Sequence, residues 1–302
     1  MERLGTLVDF IKKFGTERAC LKALIAHRWP DGFCCPRCGN KRGYWLKKRR
    51  SYECVTCRCQ TSVTAGTVLH NTRTSIQKWF LAIYLMASTP KAPSATELER
   101  QLGVTHKTAW AIRHKIIRAM SRRDDELMLC GFVEMDESFV GGRERGAKGR
   151  QTERKTLVAI AVDHTMKGGC RHAHMQLIPD ASGPSLIAAA QQTIAPGSDI
   201  LTDGWSGYKP LSIQGYRHHA WPLDSPEDAS KVLPWVHIII SNFKRWILDT
   251  FHGISPKHLQ AYLDEFCYRL NRRWHRSDLF RRILNRCLRF TAPVTYQQLI
   301  AS

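Results

Sequence analysis

Two cysteine pairs constrain this chain more than any other feature. Cys35-Pro-Arg-Cys38-Gly39 and Cys54-Val-Thr-Cys57 stand fifteen residues apart. At that spacing two turn-borne thiolate pairs can close a tetrahedron around one metal ion, the pattern of a four-cysteine zinc ribbon. A structural Zn²⁺ on Cys35, Cys38, Cys54 and Cys57 then replaces a core that so small a module lacks. Pro36 and Gly39 shape the first turn, and Tyr44, Trp45 and Tyr52 supply a hairpin between the pairs. Cys34 and Cys59 adjoin the motif as alternative ligands, but neither fits the paired spacing. The run Lys47, Lys48, Arg49, Arg50 reads as a solvated hairpin tip or a phosphate-contacting patch, and its charge density favours the patch. Eleven cysteines, an odd number, suit metal ligands and free thiols of a reducing compartment better than a disulfide framework.

The chain divides into three parts on this reading: 1–72, with helices around the ribbon; 73–125; and 126–302. Residues 1 to 30 repeat apolar side chains at helical spacing until Trp29-Pro30-Asp31-Gly32 breaks them. Residues 74 to 120 read as three helices. Ser94 and Glu97 form a capping box at the second, Leu102-Gly103-Val104 is a small turn, and Thr105 caps a longer third helix. A short helix, a Gly turn and a longer helix make a helix-turn-helix unit. Its second helix is expected to expose His106, Lys107, Arg113 and Lys115 to phosphates and base edges. The balance of 46 Lys and Arg against 26 Asp and Glu, a formal charge of +20 over 302 residues, makes nucleic acid the first partner to consider. No apolar run reaches membrane-spanning length, so a soluble, cytoplasmic protein is expected.

From Gly131 the pattern changes to strands. In Phe132-Val-Glu-Met-Asp-Glu-Ser-Phe-Val140, alternation puts Glu134, Asp136 and Ser138 on one face and Val133, Met135 and Phe139 on the other. An acid in the middle of such a strand is costly unless a cation or donor meets it. A Gly-, Arg- and Lys-rich loop follows over 142–154. Leu157–Val162 suits a central strand, His172–Ile178 a third, and 182–194 a helix. Ser198–Asp203 is a short strand delivering Asp203 to its carboxyl end. Beyond an acidic loop, a long helix from Trp235 carries His237, Ser241 and Lys244 on one face. Basic helices close the chain. Three strands, a helix and a fourth strand, with acids on the first and fourth, suit a ribonuclease H-like α/β core. The fold class is thus α+β multidomain: zinc ribbon, helix-turn-helix, then that core with a C-terminal helical extension. Asp136 and Asp203 can converge on two divalent cations, with a third ligand from the helix near Trp235, whose first turns offer His237 and no carboxylate.

With ribbon, helix pair, VEMDESFVGG, LTDGWSGY and WVHIIISNFKRWILDTFHGISPKHLQAYLDEFCYRLNRRW in this order, the chain resembles the bacterial insertion-sequence transposases with an amino-terminal zinc ribbon, the ISXO2-like family of the DDE superfamily. The resemblance runs from about Cys35 to Trp274. It implies that Asp136 and Asp203 are the two aspartates of the site. The family's third residue is Glu, Asn or His, seven residues before a lysine, which carries over to His237 and Lys244. Asn242 is the runner-up, and Glu227 and Asp228 are the nearest carboxylates before the helix. The resemblance further implies two Mg²⁺ or Mn²⁺ ions, and cleavage of double-stranded DNA at the element's terminal inverted repeats. The freed 3′-hydroxyl would then join target DNA, in a homo-oligomer working at a bacterial nucleoid. The rival expectations are an inactive zinc-dependent DNA-binding regulator and a metal-dependent nuclease without strand transfer.

Overall fold

A computed structural model describes residues 6–89, 91–124, 127–141, 155–165, 168–222, 228–251, 254–290 and 292–301. The loop expected over 142–154, and Glu227, lie outside them. In chain order the elements are α1 (Leu7–Phe14), α2 (Glu17–Arg28), β1 (Gly43–Leu46), β2 (Ser51–Cys54), β3 (Gln60–Ser62), α3 (Ile76–Ser88), α4 (Ala95–Leu102) and α5 (His106–Asp124). There follow β4 (Phe132–Val140), β5 (Thr156–His164), β6 (Cys170–Leu177), α6 (Gly183–Thr193), β7 (Asp199–Thr202) and β8 (Arg217–Ala220). The helices α7 (Ala229–Val232), α8 (Pro234–Phe251), α9 (Leu259–Leu270), α10 (Leu279–Asn285) and α11 (Tyr296–Ala301) complete the chain. No helix among the described residues is long and apolar enough to cross a membrane.

Two compact units result. The first joins Met1–Arg122 to Trp274–Ser302, and the second is Arg123–Arg273. The last segment, expected as an extension of the core, therefore packs with the N-terminal residues. The cause is aromatic: Phe280 lies 5.9, 5.6, 6.2 and 6.3 Å from the rings of Phe10, Phe14, Phe80 and Tyr84. Backbone bonds tie the return, with Val68 N donating to Cys287 O at 3.0 Å and Arg289 reaching His27 O.

Local chemistry explains the helices of this unit. Thr6 and Asp9 form a capping box, and Thr16, Ser75, Ser94 and Thr105 each accept an N–H of the helix they precede. Glu97 does not complete the box with Ser94, because its carboxylate accepts from Gln101 Nε2 at 2.7 Å. Gly103 ends α4 at φ +56°, where a Cβ would be strained, so the chain can turn tightly into α5. The ribbon is a three-stranded antiparallel sheet, β1-β2-β3, one strand more than the expected hairpin. Its small core stacks Phe33 on Tyr52 with centroids 4.8 Å apart. Gly43 is needed there, since a Cβ would come within 2.7 Å of the Phe33 ring.

The second unit is a five-stranded mixed sheet in the order β6-β5-β4-β7-β8. β4 runs antiparallel to β5 and parallel to β7, and β8 extends the parallel half. On one face α6 packs Leu186, Ala189 and Ala190 against Met135, Ala159, Ala161 and Ile200, with Tyr208 and Leu211 beside them. On the other lie α8, against β4 and β5, and α9, against β6. α9 also covers the free edge of β6. Gln260 and Asn271 bond the main chain of Leu177, Met175 and Ala173, and Arg273 bonds the carbonyls of Arg171 and Cys170.

Phe280 is 4 % exposed, so truncating it to alanine should destabilise the first unit by about 3–5 kcal/mol. Denaturant unfolding followed by tryptophan fluorescence would measure this; a loss below about 1 kcal/mol would contradict the aromatic keystone role.

Candidate active site and metal centre

The four ribbon cysteines come together as expected. Their sulfurs all lie within 4.8 Å of one another, with Cys35–Cys57 and Cys38–Cys54 each 3.5 Å apart. Zn–S bonds of about 2.3 Å place tetrahedral sulfurs about 3.8 Å apart, so the cluster fits one zinc ion with little movement. Desolvation raises the Cys35 thiol, but N–H groups of Arg37 and Cys38 and the adjoining thiols outweigh it and bring it down to about 6. The Cys59 N–H favours the Cys57 thiolate, yet desolvation and the other three sulfurs push it up to about 12. Four sulfurs this close shed their protons together only around a cation. Cys34 and Cys59 stay outside, one 3.6 Å from Gly39 O and the other 3.9 Å from Thr61 Oγ1.

In the second unit, Asp136 sits at the middle of β4. Parallel pairing sets Phe132 opposite Asp199 and Glu134 opposite Leu201, and β7 ends at Thr202, one residue before Asp203. Asp136 belongs to the face on which α8 lies. Asp203 accepts from Trp205 N at 2.9 Å, fixing the turn after β7. The nearby Asp199 is committed elsewhere: Arg217 and His219 bind it and hold its carboxyl well below the usual range.

α8 brings His237 to Asp136. Their Nε2 and Oδ2 atoms are 3.9 Å apart, and His237 Nε2 is buried with no hydrogen-bond partner. Burial, and then the charge of Lys244, lower the pKa of His237, favouring the neutral ring with a free lone pair. Lys244 Nζ donates to Ser138 Oγ at 3.0 Å. Asn242, the runner-up, is exposed on the same helix. Among the described residues only the four cysteines bring three or more metal-binding atoms within 4.8 Å of each other. Asp136, Asp203 and His237 do not form so tight a group.

Two features gave no signal in the sequence. Glu134, noted only for sharing a face with Asp136, is 2 % exposed and accepts from Val236 N at 2.9 Å. Tyr208, fully buried, donates to Glu137 Oε2 at 2.7 Å and so ties the turn after Asp203 to β4.

The nucleic-acid candidates divide. His106 and Lys107 are exposed, and Lys107 lies 4.5 Å from the Tyr296 ring. Lys115 is half-buried. Arg113 corrects an expectation: it is 1 % exposed and its Nε bonds Pro93 O at 3.0 Å, so it holds the α4 approach and presents nothing outward. Lys47, Lys48, Arg49 and Arg50 are exposed after β1, with Arg49 on Gln60 and Arg50 on Glu17.

Comparison with known proteins bears on both sites. Residues 15–60 match the transposase zinc-ribbon domain, and residues 128–271 match the ISXO2-like transposase domain. A Halobacterium salinarum relative, described as an uncharacterized protein in transposable element ISH50, is 27% identical over 279 residues. That alignment covers 85% of this chain and 91% of the relative. Among solved structures, the Mos1 strand transfer complex aligns at 14% identity over 74% of this chain and 77% of its own, with a TM-score of 0.29. The pre-cleavage Mos1 transpososome aligns at 13% identity over 69% and 77%, with a TM-score of 0.25. The ribbon match spans all four zinc-binding cysteines, and the transposase-domain match spans Asp136, Asp203, His237 and Lys244. The chain thus carries a transposase zinc-ribbon domain over residues 15–60 and an ISXO2-like transposase domain over residues 128–271.

Proposed function

We propose that the protein cuts double-stranded DNA at the ends of its own mobile element and joins the freed 3′-hydroxyl to target DNA. What supports this is the buried Nε2 of His237, without a hydrogen-bond partner and facing Asp136, next to the strand β7 whose carboxyl end leads into Asp203. Two carboxylates and a neutral imidazole suit Mg²⁺ or Mn²⁺. Bound there, such ions supply Lewis acidity and an activated water for in-line phosphoryl displacement. Asp136 would hold both ions, and Asp203 and His237 one each. Lys244, two turns along α8, offers an ammonium to the phosphate next to the scissile one. No covalent enzyme intermediate is required, because water or the DNA 3′-hydroxyl is the nucleophile.

The strand order supports a ribonuclease H-like core: an antiparallel trio followed by two parallel additions puts the first and fourth strands side by side. α4, the Gly103 turn and α5 support a helix-turn-helix in the first unit. Recognition of the terminal repeats is assigned to that unit, through His106, Lys107 and Lys115 on α5 and Lys47, Lys48, Arg49 and Arg50 on the ribbon. The +20 charge favours the polyanion, and cutting two element ends calls for at least two copies of the chain. The working place of such a protein is a bacterial nucleoid.

A strand-transfer assay with pre-cut element ends tests the reading. Asp136→Asn, Asp203→Asn and His237→Ala should each fall to background in cutting and joining while still binding the ends. His237→Glu should keep part of the activity and shift preference from Mn²⁺ towards Mg²⁺. Joining by Asp136→Asn at the wild-type level would overturn the mechanism. Cutting without joining would make the protein a nuclease, and binding alone a regulator.

Purified protein should contain one zinc per chain. Cys54→Ser should lose it and unfold the ribbon, whereas Cys34→Ser and Cys59→Ser should keep it. Metal analysis decides, and loss of zinc from Cys34→Ser would redraw the ligand set.

A further inference from the structure

We infer that Glu134 is a positioning residue for the active site: its buried carboxylate caps α8 from a neighbouring strand and so sets His237 against Asp136. The inference rests on the reading of His237 as a metal ligand.

The start of α8 explains why the cap is needed. Pro234 has no N–H, and Leu233 offers no side-chain acceptor. The first intrahelical bond runs from His237 N to Leu233 O at 3.2 Å. The N–H groups of Trp235 and Val236 therefore have no acceptor inside the helix. Glu134 Oε2 takes the Val236 N–H at 2.9 Å. Burial raises the Glu134 pKa, and the unbonded N–H groups of Val236 and Trp235, with the positive end of the helix dipole, work against that shift. Helices are usually capped by the residue just before them; here the cap comes from residue 134, on the strand that carries Asp136.

The seam between β4 and α8 shows what this does. Successive residues on one face of β4 each meet α8: Glu134 at Val236, Asp136 at His237 with 3.9 Å between them, and Ser138 at Lys244 with 3.0 Å. His237 directly follows the pinned amide. Apolar packing alone lets a helix slide or turn by fractions of an ångström, and a hydrogen bond at Val236 removes that freedom where His237 begins. Glu134 is 2 % exposed, which keeps it from the solvent and from substrate.

The experiment compares E134A, E134D and E134Q, alone and with H237A, in the full chain. Mn²⁺ binding to DNA-free protein is followed by EPR titration, joining by the strand-transfer assay, and folding by thermal unfolding. E134A and E134D should weaken Mn²⁺ binding and joining by about 10- to 100-fold, as loss of a residue that orients a ligand does. E134Q keeps an oxygen for the Val236 N–H and should recover most of both. In the H237A background E134A should add no further loss of Mn²⁺ affinity, because the two act through one group. A folded E134A with wild-type Mn²⁺ affinity and joining would overturn the proposal. So would an E134Q as inert as D136N, which would make Glu134 a ligand itself. If E134A does not fold, the contrast between E134D and E134Q gives the same decision. Wild-type Mn²⁺ binding by both D136N and H237A would instead remove the metal reading, and this inference with it.

Discussion

A carboxylate in the interior of a sheet must be matched by something that lowers its desolvation cost, and in the second unit that partner is the N-terminal end of α8. The helix lies across β4 so that its free N–H groups meet Glu134 while its first ring nitrogen meets Asp136. Much else follows from that seam. α8 needs an apolar bed, which β5 provides through Val158, Ile160 and Val162 on the same face. Its own inward stripe, Val236, Ile239, Ile240 and Phe243, completes that packing. The parallel pairing of β7 with β4 is equally tied to the site, since an antiparallel partner would send the residue after its last paired position away from Asp136. Antiparallel β5 and parallel β7 on either side of one strand thus give that strand a packed flank and a chemical one.

The ribbon, the strand around Asp136 and most helices were legible because each has a local cause. Spacing of the cysteines, alternation around Asp136, and cap residues before α4 and α5 depend on residues close in sequence. What escaped was decided by distant contacts. β8 is Arg-His-His-Ala, with no strand-forming pattern, and exists because β7 offers it an edge and Asp199 pairs with Arg217 and His219. β3, only Gln-Thr-Ser, is likewise a strand by virtue of its neighbour β2. The basic stripe of α5 made Arg113 look outward, yet it turns in to a carbonyl, as a charged residue can where a hydrogen bond waits. The final helices read as basic and amphipathic, and nothing local says which core their apolar side joins. Phe280 chooses the aromatic cluster of α1 and α3.

The candidate site was legible to a different depth. Asp136 and Asp203 were expected from strand position, and the parallel register that makes β7 a neighbour of β4 is one that no sequence pattern fixes. His237 was expected from the helix start and its distance to Lys244. Its buried nitrogen without a partner is a property of packing alone. Glu134 shows the limit most plainly. Its face was readable from alternation, but its acceptor role needed the position of a helix that begins a hundred residues later.

The edge of β6 carries a consequence for how copies of the chain can meet. Gln260, Asn271 and Arg273 occupy main-chain positions along that edge where an incoming strand would have to bond. Sheet extension from that side would first have to break several satisfied bonds. The opposite edge, β8, carries Arg217, paired with Asp199, and two like strands brought together there would set two arginines near each other. Side-chain amides and a guanidinium thus close the β6 edge of the sheet to strand addition.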